Sequence, residues 1–343
     1  MKKQIRIGDC VLGSGKIYIQ SMLNKNSNDI YGSVAQAKEL EAAGCEIVRA
    51  AIPDMNAVRL IPAIKSEVKI PLVADIHFDY RLALEAVSAG VDKVRINPGN
   101  IGDSERVRQV AKACREHNVP IRIGVNSGSL EKDILAKYGS PTAEALVESA
   151  ERHVEMLTRY DFDDIVISIK SSNVNTMIDS YRLLAQRCDY PLHLGVTEAG
   201  TERMGIIKSA VGIGSLLHDN IGDTIRVSLT ADPVKEIYAA KDILTAVGKG
   251  TGIEVVSCPT CGRTRIDLIS LAERVTEAVE NINKPIKIAV MGCAVNGPGE
   301  AREADLGVAG GDGYGLIFRK GEILKKVKEE DIISELLSEI EKI

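Results

Sequence analysis

Short apolar runs alternate along the chain with longer stretches of helical period. The runs fall at residues 17–22, 47–52, 72–76, 91–96, 121–125, 165–169, 192–196 and 225–229. Between them, apolar positions recur at helical spacing over 33–43, 58–66, 80–89, 104–116 and 142–160. A continuous apolar run predicts a strand buried on both faces, and the helical period predicts a helix packed against it. Gly44 and Gly90 follow two of the helical stretches and Asp103 precedes a third, where caps belong. Eight strand–helix units predict an α/β fold with a parallel sheet, closed as a (β/α)8 TIM barrel whose last helix spans 232–247. A doubly wound open sheet is the competing architecture, but no dinucleotide glycine fingerprint follows the first strand. Residues 1–16, with Gly8, Gly13 and Gly15, predict a short strand and a hairpin cap ahead of the barrel.

The pattern changes at Gly248-Lys249-Gly250-Thr251-Gly252, a hinge by composition. Beyond it come a strand (253–257), a helix (267–283), a strand (286–291), a cysteine-bearing loop and a glycine-rich stretch (307–315). A strand (316–319) and a charged helix (329–343) end the chain. The organisation predicted is a TIM-barrel substrate-binding domain over 1–248 and a smaller C-terminal α/β domain over 249–343. The terminal Lys/Glu run is expected to be a solvated helix face.

Composition narrows the function classes. The chain has 343 residues, 45% of them hydrophobic, enough for a barrel core and a second small one. Net charge is -5, Trp is absent and Phe occurs three times. A strongly basic nucleic-acid binder and an aromatic platform for bases are thereby excluded. No apolar run suits a membrane span and the N-terminus lacks a signal-peptide core, so a cytoplasmic setting with free thiols is expected. Of the seven cysteines, Cys45, Cys114 and Cys188 are expected to be structural, and Cys10 to be a loop residue.

The polar residues inside apolar strands carry the chemistry. Arg49, Arg95, Arg122, Lys170, His193 and Arg226 lie within or at the end of such strands. Several continue two residues on: Arg95 with Asn97, Lys170 with Ser172, Arg226 with Ser228, and His193 through Gly195 to Thr197. Period two puts each set on one strand face. The outward face of a barrel lies under helices, where a charge is costly, whereas the inward face opens on the mouth. These residues are therefore predicted to line a cationic cavity suited to a small diphosphate. The plainer alternative has them pairing with Asp75, Asp79, Asp92 or Glu198 to fill the barrel. Loops 97–102 and 126–129, the latter with Asn126, add donors, and the glycines of 208–215 offer backbone N–H groups to phosphate. Glu198, after the seventh strand, is the acid–base candidate. His77 is weighed between ligand contact and support, His117 and His153 as surface or packing residues, and His218 as a loop residue facing the mouth.

Cys258-Pro-Thr-Cys261 and Cys293, on Gly/Pro-shaped loops, supply three thiolates, with the Glu300 carboxylate close behind Cys293. A C-x-x-C pair joined by a third cysteine suits a [4Fe-4S] cluster or zinc, with one coordination position left over. Spacing leaves both metals open. A zinc-dependent barrel hydrolase or lyase and a non-enzymatic iron–sulfur electron-transfer protein are the rival readings.

Six motifs add a resemblance: Arg95-Ile-Asn-Pro-Gly-Asn-Ile-Gly, Gly124-Val-Asn-Ser-Gly-Ser-Leu, His193-Leu-Gly-Val-Thr-Glu-Ala-Gly, Gly222-Asp-Thr-Ile-Arg-Val-Ser-Leu-Thr, Cys258-Pro-Thr-Cys-Gly-Arg-Thr and Met291-Gly-Cys-Ala-Val-Asn-Gly-Pro-Gly-Glu-Ala. In order and content they resemble the bacterial 4-hydroxy-3-methylbut-2-enyl diphosphate synthases of the methylerythritol phosphate pathway, over about residues 5–318. The segment Leu23-Asn24-Lys25-Asn26 departs from the more Thr-rich one of that family. The resemblance implies a [4Fe-4S] cluster held by Cys258, Cys261, Cys293 and Glu300, with Glu300 the weakly held ligand. It implies reductive dehydration and ring opening of 2-C-methyl-D-erythritol 2,4-cyclodiphosphate, with electrons from ferredoxin or flavodoxin. Arg49, Arg95, Arg122, Lys170 and Arg226 would hold the diphosphate, Asn97, Asn126, Ser172, Asn173, His193 and Ser228 would add contacts, and Glu198 would orient or protonate the departing oxygen. A homodimer is implied, the cluster domain of one subunit capping the barrel of the other.

Overall fold

The computed structural model describes residues 2–280, 282–294, 299 and 301–343. The chain forms two compact units, Met1–Ile243 and Leu244–Ile343.

The first unit opens with a hairpin of β1 (Ile5–Ile7) and β2 (Cys10–Leu12). There follow β3 (Tyr18–Met22), α1 (Ile30–Ala43), β4 (Ile47–Ala51), α2 (Leu60–Lys65), β5 (Leu72–Asp75), α3 (Tyr80–Ser88), β6 (Lys93–Ile96), α4 (Ser104–Glu116) and β7 (Ile121–Asn126). Helices α5 (Lys132–Tyr138) and α6 (Ala143–Thr158) precede β8 (Ile165–Lys170). After it come α7 (Val174–Ala185), β9 (His193–Leu194), α8 (Glu202–His218), β10 (Thr224–Ile225) and α9 (Pro233–Ala246).

Strands pair in parallel in the order β8-β7-β6-β5-β4-β3-β10-β9. A parallel bridge between Ile167 and Leu192 joins the two ends and closes the barrel. The expected caps are present. Asp103 Oδ1 accepts from Arg106 N–H at 3.0 Å, and Gly44 ends α1 with φ +98°, a conformation that glycine adopts without strain. The hairpin plugs one end of the barrel, where Ile5, Ile7, Cys10 and Leu12 pack with Tyr18, Ile47, Val73 and Val166. Cys10 is thus not a loop residue. It sits on β2, buried, and burial followed by the neighbouring Glu46 carboxylate pushes its thiol up to about 11. Cys45 and Cys114 are buried, and all seven cysteines are free.

The second unit is a five-stranded mixed sheet: β11 (Glu254–Ser257), β12 (Lys287–Met291), β13 (Leu306–Gly311), β14 (Tyr314–Arg319) and β15 (Glu322–Lys328), in that order. Helices α10 (Leu268–Val279) and α11 (Ile332–Glu341) cover one face through Leu271, Val275, Leu336 and Ile340 on Ile288, Val308 and Ile317. Two sequence expectations are corrected here. The glycine-rich stretch is mostly strand, turning at Gly313 with φ +76°. The terminal charged helix forms as α11, but only one side of it is solvated, since Ile332, Leu336 and Ile340 are buried, and the unassigned residues before it, 322–328, form β15. Among the described residues no helix is long and apolar enough to cross a membrane.

Candidate active site: a cationic barrel mouth and a thiol-bearing sheet edge

Arg49 and Arg95 come together in the barrel interior, where they share the buried Asp75 carboxylate. Arg95 and Arg122 are register partners on β6 and β7, and Asn126 and Lys170 on β7 and β8. Gly124 lies between the arginine and amide positions of β7. A Cβ there would stand 2.5 Å from Arg95 Nε, so the side chain of β6 crosses the glycine of β7. Only a residue without a side chain leaves the Arg95 guanidinium that room.

The interior is short of negative charge. Asp75 is buried and bridges two cations, with Oδ2 2.6 Å from Arg49 Nη2 and Oδ1 3.2 Å from Arg95 Nη1. Burial alone would raise its carboxyl, but Arg49, His77 and Arg95 together hold it well below the usual carboxylate range. Arg226 is bound by Glu236 of α9, at 3.1 Å from Nη2 to Oε1. Here the plainer alternative applies: three of the cations are paired, and Glu236 is a partner that the sequence reading missed.

Arg122 and Lys170 have no acidic partner among the described residues. Arg122 is fully buried, and none of its three guanidinium nitrogens has a partner among the described residues. Burial, then Arg49 and Arg95, pull it well below its ordinary value. Lys170, half-buried at the end of β8, pairs with no carboxylate among the described residues, and burial plus Arg49 and Arg122 depress its ammonium. Lys93, also missed from sequence, is 0% exposed and its Nζ has no hydrogen-bond partner among the described residues. It stands two residues before Arg95 on the same strand face, so the period that found Arg95 and Asn97 extends back to it. His193 is buried, with Nδ1 2.7 Å from Thr224 Oγ1. Burial, then Arg122 and Lys93, hold it well below the ordinary imidazole value, so it is neutral.

Other predicted residues take their places around the rim. Asn97 is buried and its Oδ1 accepts from Gly99 N–H at 3.0 Å. Asn126 and Ser228 are half-buried, and Ser172 is exposed. Asn173 caps α7, its Oδ1 accepting from Thr176 N–H at 3.1 Å. His77, exposed, stands 3.3 Å from Asp75 Oδ2. Glu198 is exposed and held at φ +51°, a left-handed backbone rare outside glycine. Two rim expectations fail. Residues 208–215 lie inside α8, where their N–H groups serve the helix. His218 ends that same helix, and in a (β/α)8 barrel helices run back from the mouth, so it sits at the opposite end.

In the second unit, β11 and β12 are parallel neighbours with Ser257 opposite Val290, so Cys258 and Cys293 leave the same sheet edge. Gly292 N–H donates to Cys258 Sγ at 3.3 Å. Backbone and side-chain donors of Arg263 lower the exposed Cys261 thiol. Cysteine sulfurs after neighbouring parallel strands are the soft ligands that suit a soft metal centre or an iron–sulfur cluster. Among the described residues, no three Cys, His, Asp or Glu side chains are gathered tightly enough to hold a metal ion. Glu300 lies outside the described residues.

A closed barrel with buried cations in its interior and Lys170 at the C-terminal end of β8, followed by an α/β domain with cysteines after its strands, defines a barrel enzyme for an anionic substrate with a cysteine-bearing accessory domain. Residues 2–241 match the family model described as the GcpE TIM-barrel domain, and residues 254–342 match the GcpE protein C-terminal domain. The chain belongs to the GcpE family. It is 61% identical over 343 residues to 4-hydroxy-3-methylbut-2-en-1-yl diphosphate synthase (flavodoxin) of Clostridium perfringens, covering 99% of this chain and 98% of that one. It is 54% identical to the protein of the same name from Bacillus pumilus, covering 99% and 93%. Among solved structures, dihydropteroate synthase from Stenotrophomonas maltophilia superposes with TM-score 0.53 at 14% identity, over 71% of this chain and 97% of that one. That likeness speaks to the barrel fold alone.

Proposed function

We propose that this protein converts 2-C-methyl-D-erythritol 2,4-cyclodiphosphate to 4-hydroxy-3-methylbut-2-enyl diphosphate. It is an oxidoreductase of isoprenoid-precursor synthesis. The observation that carries the reading is the buried guanidinium of Arg122, without a partner among the described residues, beside Arg95 in a barrel interior whose cations outnumber its acids. A buried charge without a partner costs several kcal/mol on the usual scale of about 3–5 kcal/mol for a broken buried pair. A diphosphate supplies the missing negative charge.

The reaction takes up two electrons and one proton, opens the ring at a carbon–oxygen bond of the diphosphate, leaves that phosphate oxygen ionised and releases the hydroxyl as one water. Ring opening places further negative charge on the phosphate oxygen that leaves carbon. Arg49, Arg95, Arg122 and Lys170 neutralise it, and their fixed positions cost no reorganisation at that moment. Asn97, Asn126, Ser172, Asn173, His193, Arg226 and Ser228 orient the substrate. Neutral His193 offers a hydrogen bond without adding charge. Glu198, at the rim on its left-handed backbone, orients or protonates the departing hydroxyl.

Cys258, Cys261, Cys293 and Glu300 would hold a [4Fe-4S] cluster. When bound, that group supplies electrons one at a time and a Lewis-acidic iron. Flavodoxin or ferredoxin delivers the electrons. The working unit is a homodimer in which the C-terminal domain of one subunit closes the barrel of its partner.

The test is turnover under strict anaerobiosis with reduced flavodoxin and the cyclodiphosphate, reading product and water release. No product from cluster-replete protein, with a relative active in parallel, overturns the reading. Mixing Cys293→Ser and Arg122→Met chains tests the dimer: activity in isolated heterodimers supports sharing across subunits, and none counts against it.

A further inference from the structure

His153 belongs to α6, outside the strand positions that line the barrel, yet it is one of the few buried histidines of the chain, at 1% exposure. Its Nε2 lies 2.9 Å from Glu131 Oε1. Glu131 is the residue that leads from the β7 loop into α5, and its other oxygen accepts from buried Ser149 Oγ at 2.8 Å. Burial would raise this carboxyl, but hydrogen bonds from His153, its own backbone and Ser149 hold it at about 2. The imidazole N–H therefore meets an ionised acceptor in a setting mostly screened from water.

The same imidazole edge touches a second loop. A Cβ on Gly99 would stand 2.9 Å from His153 Nε2 and 3.3 Å from Asn97 Oδ1. Gly99 thus lies wedged between the His153 ring and the Asn97 amide, and its N–H is the donor to Asn97 Oδ1. Three segments meet here: the turn after β6 that carries Asn97, the loop after β7 that runs from Ser127 to Glu131, and α6. Neither loop has a regular ladder to hold it, so its position at the rim rests on such contacts.

We propose that Glu131 and His153 are a positioning pair, which locks the Asn97–Gly99 turn and the loop from Ser127 to Glu131 to each other and so fixes the Asn97 amide against the anion. The pair touches no substrate and acts through Asn97. It rests on the reading of the mouth as a diphosphate site, but its effect on the loops does not.

The two are separated by measuring both. Hydrogen–deuterium exchange is followed over residues 97–103 and 126–131 in Glu131→Gln, His153→Leu and His153→Gln, and inorganic diphosphate binding is measured by calorimetry on the same proteins. Glu131→Gln and His153→Leu are expected to speed exchange in both loops together. Diphosphate affinity should fall about tenfold, the effect of one charge-assisted hydrogen bond. His153→Gln keeps an N–H near the Nε2 position and should restore protection and affinity. With substrate, KM should rise more than kcat falls. Exchange that changes in α6 alone, or in only one loop, overturns the pair, as does full affinity in His153→Leu. If the unsubstituted protein binds no diphosphate while the loops still loosen together, the anion reading fails and the loop coupling stands.

Discussion

Arg49 and Asp75 form a buried ion pair, 2.6 Å from Nη2 to Oδ2, and the same carboxylate also receives Arg95 at 3.2 Å. One acid thus serves two guanidinium groups in the barrel core, and Arg122 next to them has none.

Asp75→Asn removes the carboxylate that Arg49 and Arg95 share and should destabilise the barrel by about 3–5 kcal/mol, read as a lower denaturant midpoint. The folded carboxyl is held below its unfolded value of about 3.9, so the folded state binds fewer protons in that range. Its contribution is complete above about pH 4 and is lost as pH falls through the lower folded value. The acid limb of the stability profile should therefore flatten in the variant. An unchanged acid limb would show that Asp75 is not paired in solution.

Lys93→Met acts in the opposite direction. It exchanges a buried, unpartnered ammonium for an apolar chain of similar length, and should stabilise the free protein by about 1–4 kcal/mol. The folded amine sits well below its ordinary value, chiefly through burial and then Arg122. Stability of the unsubstituted protein should rise with pH from that lowered value towards about 10.4, because the unfolded chain holds the extra proton. The variant should lose one proton's worth of that slope. A destabilised Met variant would mean that Lys93 has a partner in solution.

Arg122→Met should weaken diphosphate binding by about 1–3 kcal/mol while leaving the fold at least as stable. Calorimetry and thermal unfolding on the same sample check both halves. Unaltered affinity would remove Arg122 from the anion site.

Glu198→Gln should lower kcat more than it raises KM, since the amide keeps shape and loses the proton. Glu198→Gly should abolish turnover and yet raise stability by about 1 kcal/mol, because glycine adopts φ +51° without the Cβ clash. A Gln variant with full kcat would exclude Glu198 from proton transfer.

Much of this was legible because parallel barrels write one rule into every strand. The apolar runs gave the strands, and a charge at period two marked the inward face in β6, β7 and β8. Lys93 escaped because it lies within the run 91–96 read as apolar, although it obeys the same period. Glu236 escaped because its partner Arg226 lies on another element, which periodicity does not connect. The glycines of 208–215 misled for a packing reason: a Cβ on Gly212 would stand 2.9 Å from Val196 Cγ2, so it serves close helix–barrel contact. In the C-terminal sheet, glycine concealed strands. Gly307 leaves space for Phe318 and Gly310 for Ile266, so the low β-propensity is compensated by neighbouring side chains. The left-handed Glu198 left no signal in sequence, since a non-glycine residue does not announce a positive φ.

The central claim joins the anion-binding mouth to redox chemistry at the thiol-bearing edge, and its most direct measurement is metal content. Protein purified without oxygen should carry about four iron and four sulfide per chain, with one iron distinct in its Mössbauer spectrum. Cys293→Ser should lose that iron while retaining its fold. Stoichiometric zinc without sulfide in protected protein would contradict the account.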